Sequence, residues 1–241
     1  MFKVLGGGLT LFEGPDGFRP AEDSFWLSAL APPPPPAAHV LDIGCGTGAV
    51  GLIYKLRHPQ VTLFGGDHTP QMLTAAAAAA FYNQLSFYLA VATINNLPYA
   101  PNSFDVCLAN PPFYIEGREA PPKAKMRQNI RHTAHLENWL KALLEVTKPQ
   151  GHVALICHAN DAEKLIKIAP HYGGQCWRHF KLKTSIRRQA KRSVLIFIKG
   201  NATLAEIEIA TFDKTLRRHA LEGIVSSGKS PLSEVCFYDT V

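Results

Sequence analysis

Leu41-Asp42-Ile43-Gly44-Cys45-Gly46-Thr47-Gly48 joins two apolar runs of different character. The run before it, His39–Ile43, is short and strand-like; the run after it, Ala49–Arg57, reads as a helix. Glycines at every second position allow a tight strand-to-helix turn and let a ligand approach the backbone closely. A G-x-G turn alone is weak evidence, because dinucleotide folds use a similar one. Their fingerprint, however, spaces the glycines G-x-G-x-x-G, whereas this stretch has G-x-G-x-G with Asp42 ahead of it. The next strand, Val61–Gly65, leads to Asp67, 19 residues beyond Gly48, where a carboxylate can hydrogen-bond ribose hydroxyls. The bland reading is a strand-to-helix turn that binds nothing.

Outward from this stretch the chain keeps alternating. Helices are expected at about 70–83, 135–146 and 161–169, and strands at 87–92, 104–109 and 152–157. Such alternation implies an α/β fold, a Rossmann-like doubly wound parallel sheet. Two late strands, 176–183 and 193–199, have no helix between them, so the last must reverse direction. The expectation is a seven-stranded sheet with an antiparallel last strand. Before it lie a glycine-rich arm over 1–17 with alternating apolar positions, a helix over 20–30, and the stiff spacer Pro32–Pro36. We divide the chain into an arm, helix and linker at 1–37, a catalytic domain at 38–200 and an extension at 201–241. The extension has a strand-like 207–212 and no assigned role.

The 241 residues suffice for one α/β domain with a large core. A hydrophobic fraction of 46% argues against disorder, and the formal charge of +6 is compatible with an anionic partner. Cys45, Cys107, Cys157, Cys176 and Cys236 are scattered, odd in number and lack C-x-x-C spacing, which disfavours a disulfide framework or a metal site. No run reaches the ~18 apolar residues of a membrane span, and no leader is recognised. A cytoplasmic protein with no metal is expected.

Asn110-Pro111-Pro112-Phe113 follows the strand at 104–109. In an open α/β sheet the carboxyl ends of the strands hold the ligand, which places Asn110 beside Gly44. The Asn side-chain oxygen and a Pro carbonyl can both accept from one exocyclic amino group, while the prolines stiffen the turn and remove donors. Phe113 can stack on a planar substrate. The alternative is a proline turn after a strand.

Taken together, 41–48 resembles the first motif of class I S-adenosylmethionine-dependent methyltransferases, and 110–113 resembles the (N/D/S)-P-P-(Y/F/W) motif of those acting on planar amide or amino nitrogens. That resemblance implies S-adenosylmethionine as cofactor, with Asp42 near its methionine end, Gly44, Cys45, Gly46 and Gly48 around it, and Asp67 on the ribose. It also implies Asn110, Pro111, Pro112 and Phe113 as the acceptor site. The family commonly has an acidic residue after its third strand, facing the adenine. This chain has Val91-Ala92-Thr93-Ile94-Asn95-Asn96 there, leaving Thr93, Asn95 or a backbone carbonyl for that contact.

Three segments bear on the acceptor. Residues 117–133 carry Arg118, Lys123, Lys125, Arg127 and Arg131. From Lys164 to Ala205 there is no Asp or Glu, and the tightest basic cluster, Arg187, Arg188, Lys191 and Arg192, falls between the last two strands, where it can meet phosphates or be a solvated turn. The third, Asp16-Gly17-Phe18-Arg19-Pro20-Ala21-Glu22-Asp23-Ser24, resembles the amino-terminal segment of the bacterial tRNA N6-adenine methyltransferases acting beside the valine tRNA anticodon. The likeness spans roughly 10–200 and implies Arg19 and Asp23 near the cofactor entrance, with tRNA as the favoured partner. The competing assignments are an N2-guanine ribosomal RNA methyltransferase, usually with a duplicated domain, and a release-factor glutamine methyltransferase, usually with NPPY and a helical amino-terminal domain. A third is a non-catalytic RNA-binding module, against which the intact glycines, Asp42 and Asn110 all speak.

Overall fold

A computed structural model describes residues 1–112, 136–183 and 189–200, with the backbone of 208–212. Strands β1 (Phe2–Val4) and β2 (Leu9–Leu11) form an antiparallel hairpin, and helix α1 (Glu22–Leu30) follows. The alternating region then runs β3 (His39–Ile43), α2 (Ala49–Arg57), β4 (Thr62–Asp67), α3 (Pro70–Tyr82), β5 (Tyr88–Val91) and β6 (Phe104–Ala109). It continues with α4 (Leu136–Val146), β7 (Thr147–His158), α5 (Ala159–Ile168), β8 (Gly174–Lys183), β9 (Ala190–Lys199) and β10 (Glu208–Phe212).

The sheet order is β10-β8-β9-β7-β6-β3-β4-β5, and β9 alone runs against its neighbours. The first seven of the main-sheet strands in sequence, β3 to β9, build the expected core. β10 adds an eighth strand on the outer edge of β8, parallel to it. The antiparallel strand is therefore next to last, and the strand-like run near 207–212 has a place: it covers the backbone groups that β8 would otherwise leave unpaired. Strand β7 begins five residues earlier than the periodicity predicts, at Thr147, and passes through Gln150 at φ 64 before regular pairing with β6 resumes at His152.

Period-two alternation sorts the core onto the sheet's two faces. Val40, Val106, Leu108, Ile156, Val194 and Ile196 point to the face covered by α1 and α2, where Trp26, Leu27, Leu30 and Tyr54 are buried. Leu41, Ile43, Cys107, Val153, Leu155 and Phe197 point to the other, under Leu140, Leu143 and Leu144 of α4 and Leu165 of α5. The arm belongs to the same body. Leu9 and Leu11 pack with Leu52, Ile53, Ala79 and Ala80, and the Thr10 backbone exchanges hydrogen bonds with the Asn83 amide at 3.0 and 2.7 Å. The proline spacer is pinned as well, since Tyr54 Oη donates to the Pro32 carbonyl at 2.6 Å.

Candidate functional site

The register of the sheet puts the ends of β3, β4 and β6 side by side, with Ile43 opposite both Gly66 and Ala109. Gly44, Asp67 and Asn110 thus emerge from one edge. The turn after β3 hangs on its neighbour: the Gly66 carbonyl accepts from the amides of Gly44 at 2.7 Å and Cys45 at 3.0 Å. Gly44, Gly46 and Gly48 take φ of 68, 54 and 85, the left-handed region that glycine adopts without a Cβ penalty. A Cβ on Gly44 would lie 2.8 Å from Trp139 Cη2, so this glycine makes room for a side chain of α4. Among the described residues a Cβ on Gly46 would meet Phe18 alone, at 3.8 Å, so the backbone there has room beside it.

Two carboxylates hold the turn. Asp67 accepts from the Gly46 amide at 2.9 Å and, with its other oxygen, from the Thr69 amide at 2.9 Å. Asp42, 1% exposed, accepts from the Gly51 amide of α2 at 2.9 Å through one oxygen, while the second is buried with no partner among the described residues. Burial raises the Asp42 carboxyl to about 7, the Gly51 hydrogen bond working against it and the Asp67 charge adding to it. Cys45 is buried, and desolvation plus the neighbouring Asp42 and Asp67 hold its thiol well above the ordinary range, so it is no nucleophile here. Room at the Gly46 backbone and a buried Asp42 oxygen without a donor among the described residues fit a cationic, hydroxyl-bearing nucleoside cofactor, which can lie along the glycine backbone and offer Asp42 a donor.

Asn110 begins the acceptor motif. Its Nδ2 donates to Ser24 Oγ on α1 at 3.1 Å, and its Oδ1 is buried with no partner among the described residues. Pro111 is buried and Pro112 exposed; Phe113 lies outside the described residues. Thr93 is exposed, in a tight turn closed by the Asn96 amide donating to its carbonyl at 3.0 Å, directly after Ala92, whose amide donates to the Asp67 carbonyl.

The amino-terminal segment crosses this edge. Phe18 faces Gly46, and Gly14 sits against Thr47 and Met72. Arg19 is exposed, ion-paired with Glu13 and placed over the Phe2 ring at 4.8 Å. Asp23 accepts from Arg192 Nε at 3.0 Å, and Arg192 Nη1 also lies 3.0 Å from His158 Nδ1. Lys183 and Ala190, which end β8 and begin β9, stand on the same edge as Asn110, as the strand directions require. Lys191 is exposed; Arg187 and Arg188, like the basic residues of 117–133, lie outside the described residues. The residues that reading the sequence missed are Ser24, Trp139 and His158. The one signal for Ser24 was a hydroxyl in a helix whose neighbours, Trp26 and Leu27, are core residues. Among the described residues no cluster of three metal-ligating side chains occurs, and no helix is long and apolar enough to cross a membrane.

Residues 35–210 match the family described as a methyltransferase domain. A protein of Porphyromonas gingivalis named tRNA1(Val) (adenine(37)-N6)-methyltransferase is 28% identical over 231 residues, 92% of this chain and 89% of its own length. One of the same name from Vibrio parahaemolyticus is 26% identical, covering 74% of this chain and 75% of its own. Among solved structures, a putative class I S-adenosylmethionine-dependent methyltransferase of Listeria monocytogenes superposes with a TM-score of 0.60 at 20% identity, over 88% of this chain and 72% of that one. The fold, the glycine turn and the family match converge: the chain belongs to the methyltransferase domain family, with the class I fold and S-adenosylmethionine as its cofactor.

Proposed function

We propose that the chain methylates the exocyclic N6 of an adenosine in RNA, with tRNA as the favoured substrate. The observation that carries this reading is the state of Asn110. Its amide nitrogen is occupied by Ser24, and its Oδ1 is left buried and, among the described residues, unpaired, one strand away from the glycine turn. An acceptor with no donor of its own is what a planar amino group requires. The names of the relatives from Porphyromonas gingivalis and Vibrio parahaemolyticus agree with it.

Asp42 and Asp67 hold the cofactor in this reading, with Gly44, Cys45, Gly46 and Gly48 lining it, Thr93 at the adenine end, and Arg19 and Asp23 near the entrance. S-adenosylmethionine supplies a methyl group on a positively charged sulfur. The work of the chain lies in aiming the nucleophile. Asn110 Oδ1 and the Pro111 carbonyl accept from the two N–H bonds of the amino group, which draws its lone pair out of conjugation with the ring and points it along one direction. Pro111 and Pro112 keep those acceptors from relaxing. Phe113 stacks on the base and fixes its plane. The methylated nitrogen passes its extra proton to solvent water after transfer, so no side chain with a tuned pKa is needed beforehand. Arg187, Arg188 and Lys191 meet the RNA phosphates, while Arg192, at the start of the same strand, is held by Asp23 and His158.

Incubation of the purified protein with methyl-labelled S-adenosylmethionine and total small RNA, followed by nucleoside mass spectrometry, tests the reading. N6-methyladenosine in the tRNA fraction is the expected product. Label in N2-methylguanosine, or transfer only to a release-factor glutamine, overturns it.

A further inference from the structure

We infer that Ser24 is a positioning residue that sets which end of the Asn110 amide faces the acceptor nitrogen, an inference that rests on the amino-group reading above. Three features of the molecule lead to it. Ser24 is 5% exposed, in a helix whose adjoining residues Trp26 and Leu27 are core. A buried hydroxyl costs free energy unless it is hydrogen-bonded, and an alanine would fill the same space without that cost. The partner Ser24 has is Asn110 Nδ2, 86 residues away in sequence.

The second feature is what remains free at Asn110. A residue before proline is confined to extended backbone, and Asn110 precedes the buried Pro111 at the end of β6. Its backbone is fixed, so the side-chain torsions are the remaining freedom. The two ends of the amide have nearly the same shape and opposite hydrogen-bonding character. With the oxygen inward, the side chain accepts from an amino group; turned over, it opposes one donor with another and excludes the substrate nitrogen. The third feature is the character of the partner. A serine hydroxyl can accept as well as donate, and here its oxygen accepts from the Asn nitrogen. The outcome is the observed one: Nδ2 on Ser24 and Oδ1 buried and unpaired. Helix α1 is a firm base for this, since Trp26, Leu27 and Leu30 anchor it in the core.

Two measurements test the role. In the protein without substrate, the Asn110 side-chain NH2 pair, identified in a nitrogen–proton spectrum by its loss in Asn110→Ala, should exchange slowly with water; Ser24→Ala should speed that exchange. In methyl transfer, Ser24→Ala should lower kcat about tenfold, the size expected for one hydrogen bond acting in the transition state. The KM for RNA, the affinity for S-adenosylhomocysteine and the melting temperature should stay close to wild type. Ser24→Thr, which keeps the hydroxyl, should recover most of the rate. An unchanged kcat in Ser24→Ala overturns the inference, and so does a loss of rate matched by equal losses of cofactor affinity and thermal stability, since that is a packing defect. The exchange measurement needs no substrate. A wrong substrate class leaves Asn110 protected in the wild type and changes the nucleoside that is methylated; a wrong role for Ser24 leaves the Asn110 amide indifferent to its removal.

Discussion

The cofactor turn and the acceptor corner lie on adjoining strands and are built in opposite ways. The turn is set mainly by its own sequence and the next strand: glycines at positive φ, the Gly66 carbonyl holding two amides, Asp67 capping Gly46. The acceptor corner is assembled from distant parts of the chain. Asn110 is set by Ser24, and next to Ser24, Asp23 holds Arg192, 169 residues away. Two consecutive residues of α1 therefore brace both the acceptor amide and the first turn of the basic strand. A site that accepts a common cofactor can be specified locally; the end that chooses the substrate draws on the whole fold.

That contrast predicts separable losses. Asn110→Ala should show the largest effect, a fall in kcat of about a hundredfold or more, corresponding to roughly 3 kcal/mol of lost orientation. S-adenosylhomocysteine affinity by calorimetry should stay within about twofold, because the turn does not depend on this side chain. Loss of cofactor binding in this variant would mean that the two regions are one.

Within the turn, Gly44→Ala and Gly46→Ala should differ although both place a side chain at positive φ. Each bears a left-handed penalty of about 1–2 kcal/mol. Gly44→Ala adds a 2.8 Å encounter with Trp139 and should cost a further 1–3 kcal/mol, about the cost of overpacking a core. Gly46→Ala meets nothing nearer than 3.8 Å among the described residues, so its stability loss should be the smaller, and its larger consequence should be weaker cofactor binding. Urea unfolding of both variants checks the difference; equal stability losses would remove Trp139 from the account.

Asp42 gives the turn a pH signature. Its carboxyl sits at about 7 in the folded protein and near 3.9 in an unfolded chain, so folding takes up a proton between those values. Stability from this group therefore falls as pH rises through the window and levels off above about 7. Half-buried His58 and buried His179 oppose it. Desolvation lowers both to about 4, so the folded state loses stability as pH drops below about 6.5. Asp42→Asn should unmask the histidines, making unfolding free energy drop more steeply on acidification from pH 7 to 5 than in the wild type, by up to about 1 kcal/mol per pH unit. Parallel curves for the two proteins would show that Asp42 is ionised throughout.

The same contrast explains what the sequence made legible. β3, α2 and β6 follow from periodicity and punctuation, because a strand, a glycine turn and a helix are encoded by neighbouring residues. The ordering of Gly44, Asp67 and Asn110 along one edge follows from the right-handed connections of parallel strands. Ser24 and Asp23 were not legible as partners: nothing local to α1 says that a serine will meet an asparagine from β6. The docking of Thr10 on Asn83 and the addition of β10 to β8 are hidden for the same reason, since each joins segments separated by tens of residues. Arg192 read as one more charge in a basic run; a carboxylate from the far end of the chain gives it a different role.

That role makes the smallest and most discriminating prediction. Arg192 is already partnered by Asp23 and His158, whereas Lys191 is exposed. A charge neutralised within the protein releases few counterions when RNA binds. If Arg187, Arg188 and Lys191 meet phosphates, replacing the three with Ala should flatten the plot of log affinity against log salt by about 2, at roughly 0.7 per phosphate on a single strand. Adding Arg192→Ala to the triple variant should leave the slope nearly unchanged. Asp23→Asn in the wild-type background should do the reverse. It removes the carboxylate charge that neutralises Arg192, and the slope should steepen by up to about 0.7 while the protein loses no more than about 1 kcal/mol, the worth of a partly exposed ion pair. A full step in slope on removing Arg192, with none on releasing it from Asp23, would show that Arg192 leaves Asp23 for the RNA, and α1 would then brace the acceptor amide alone.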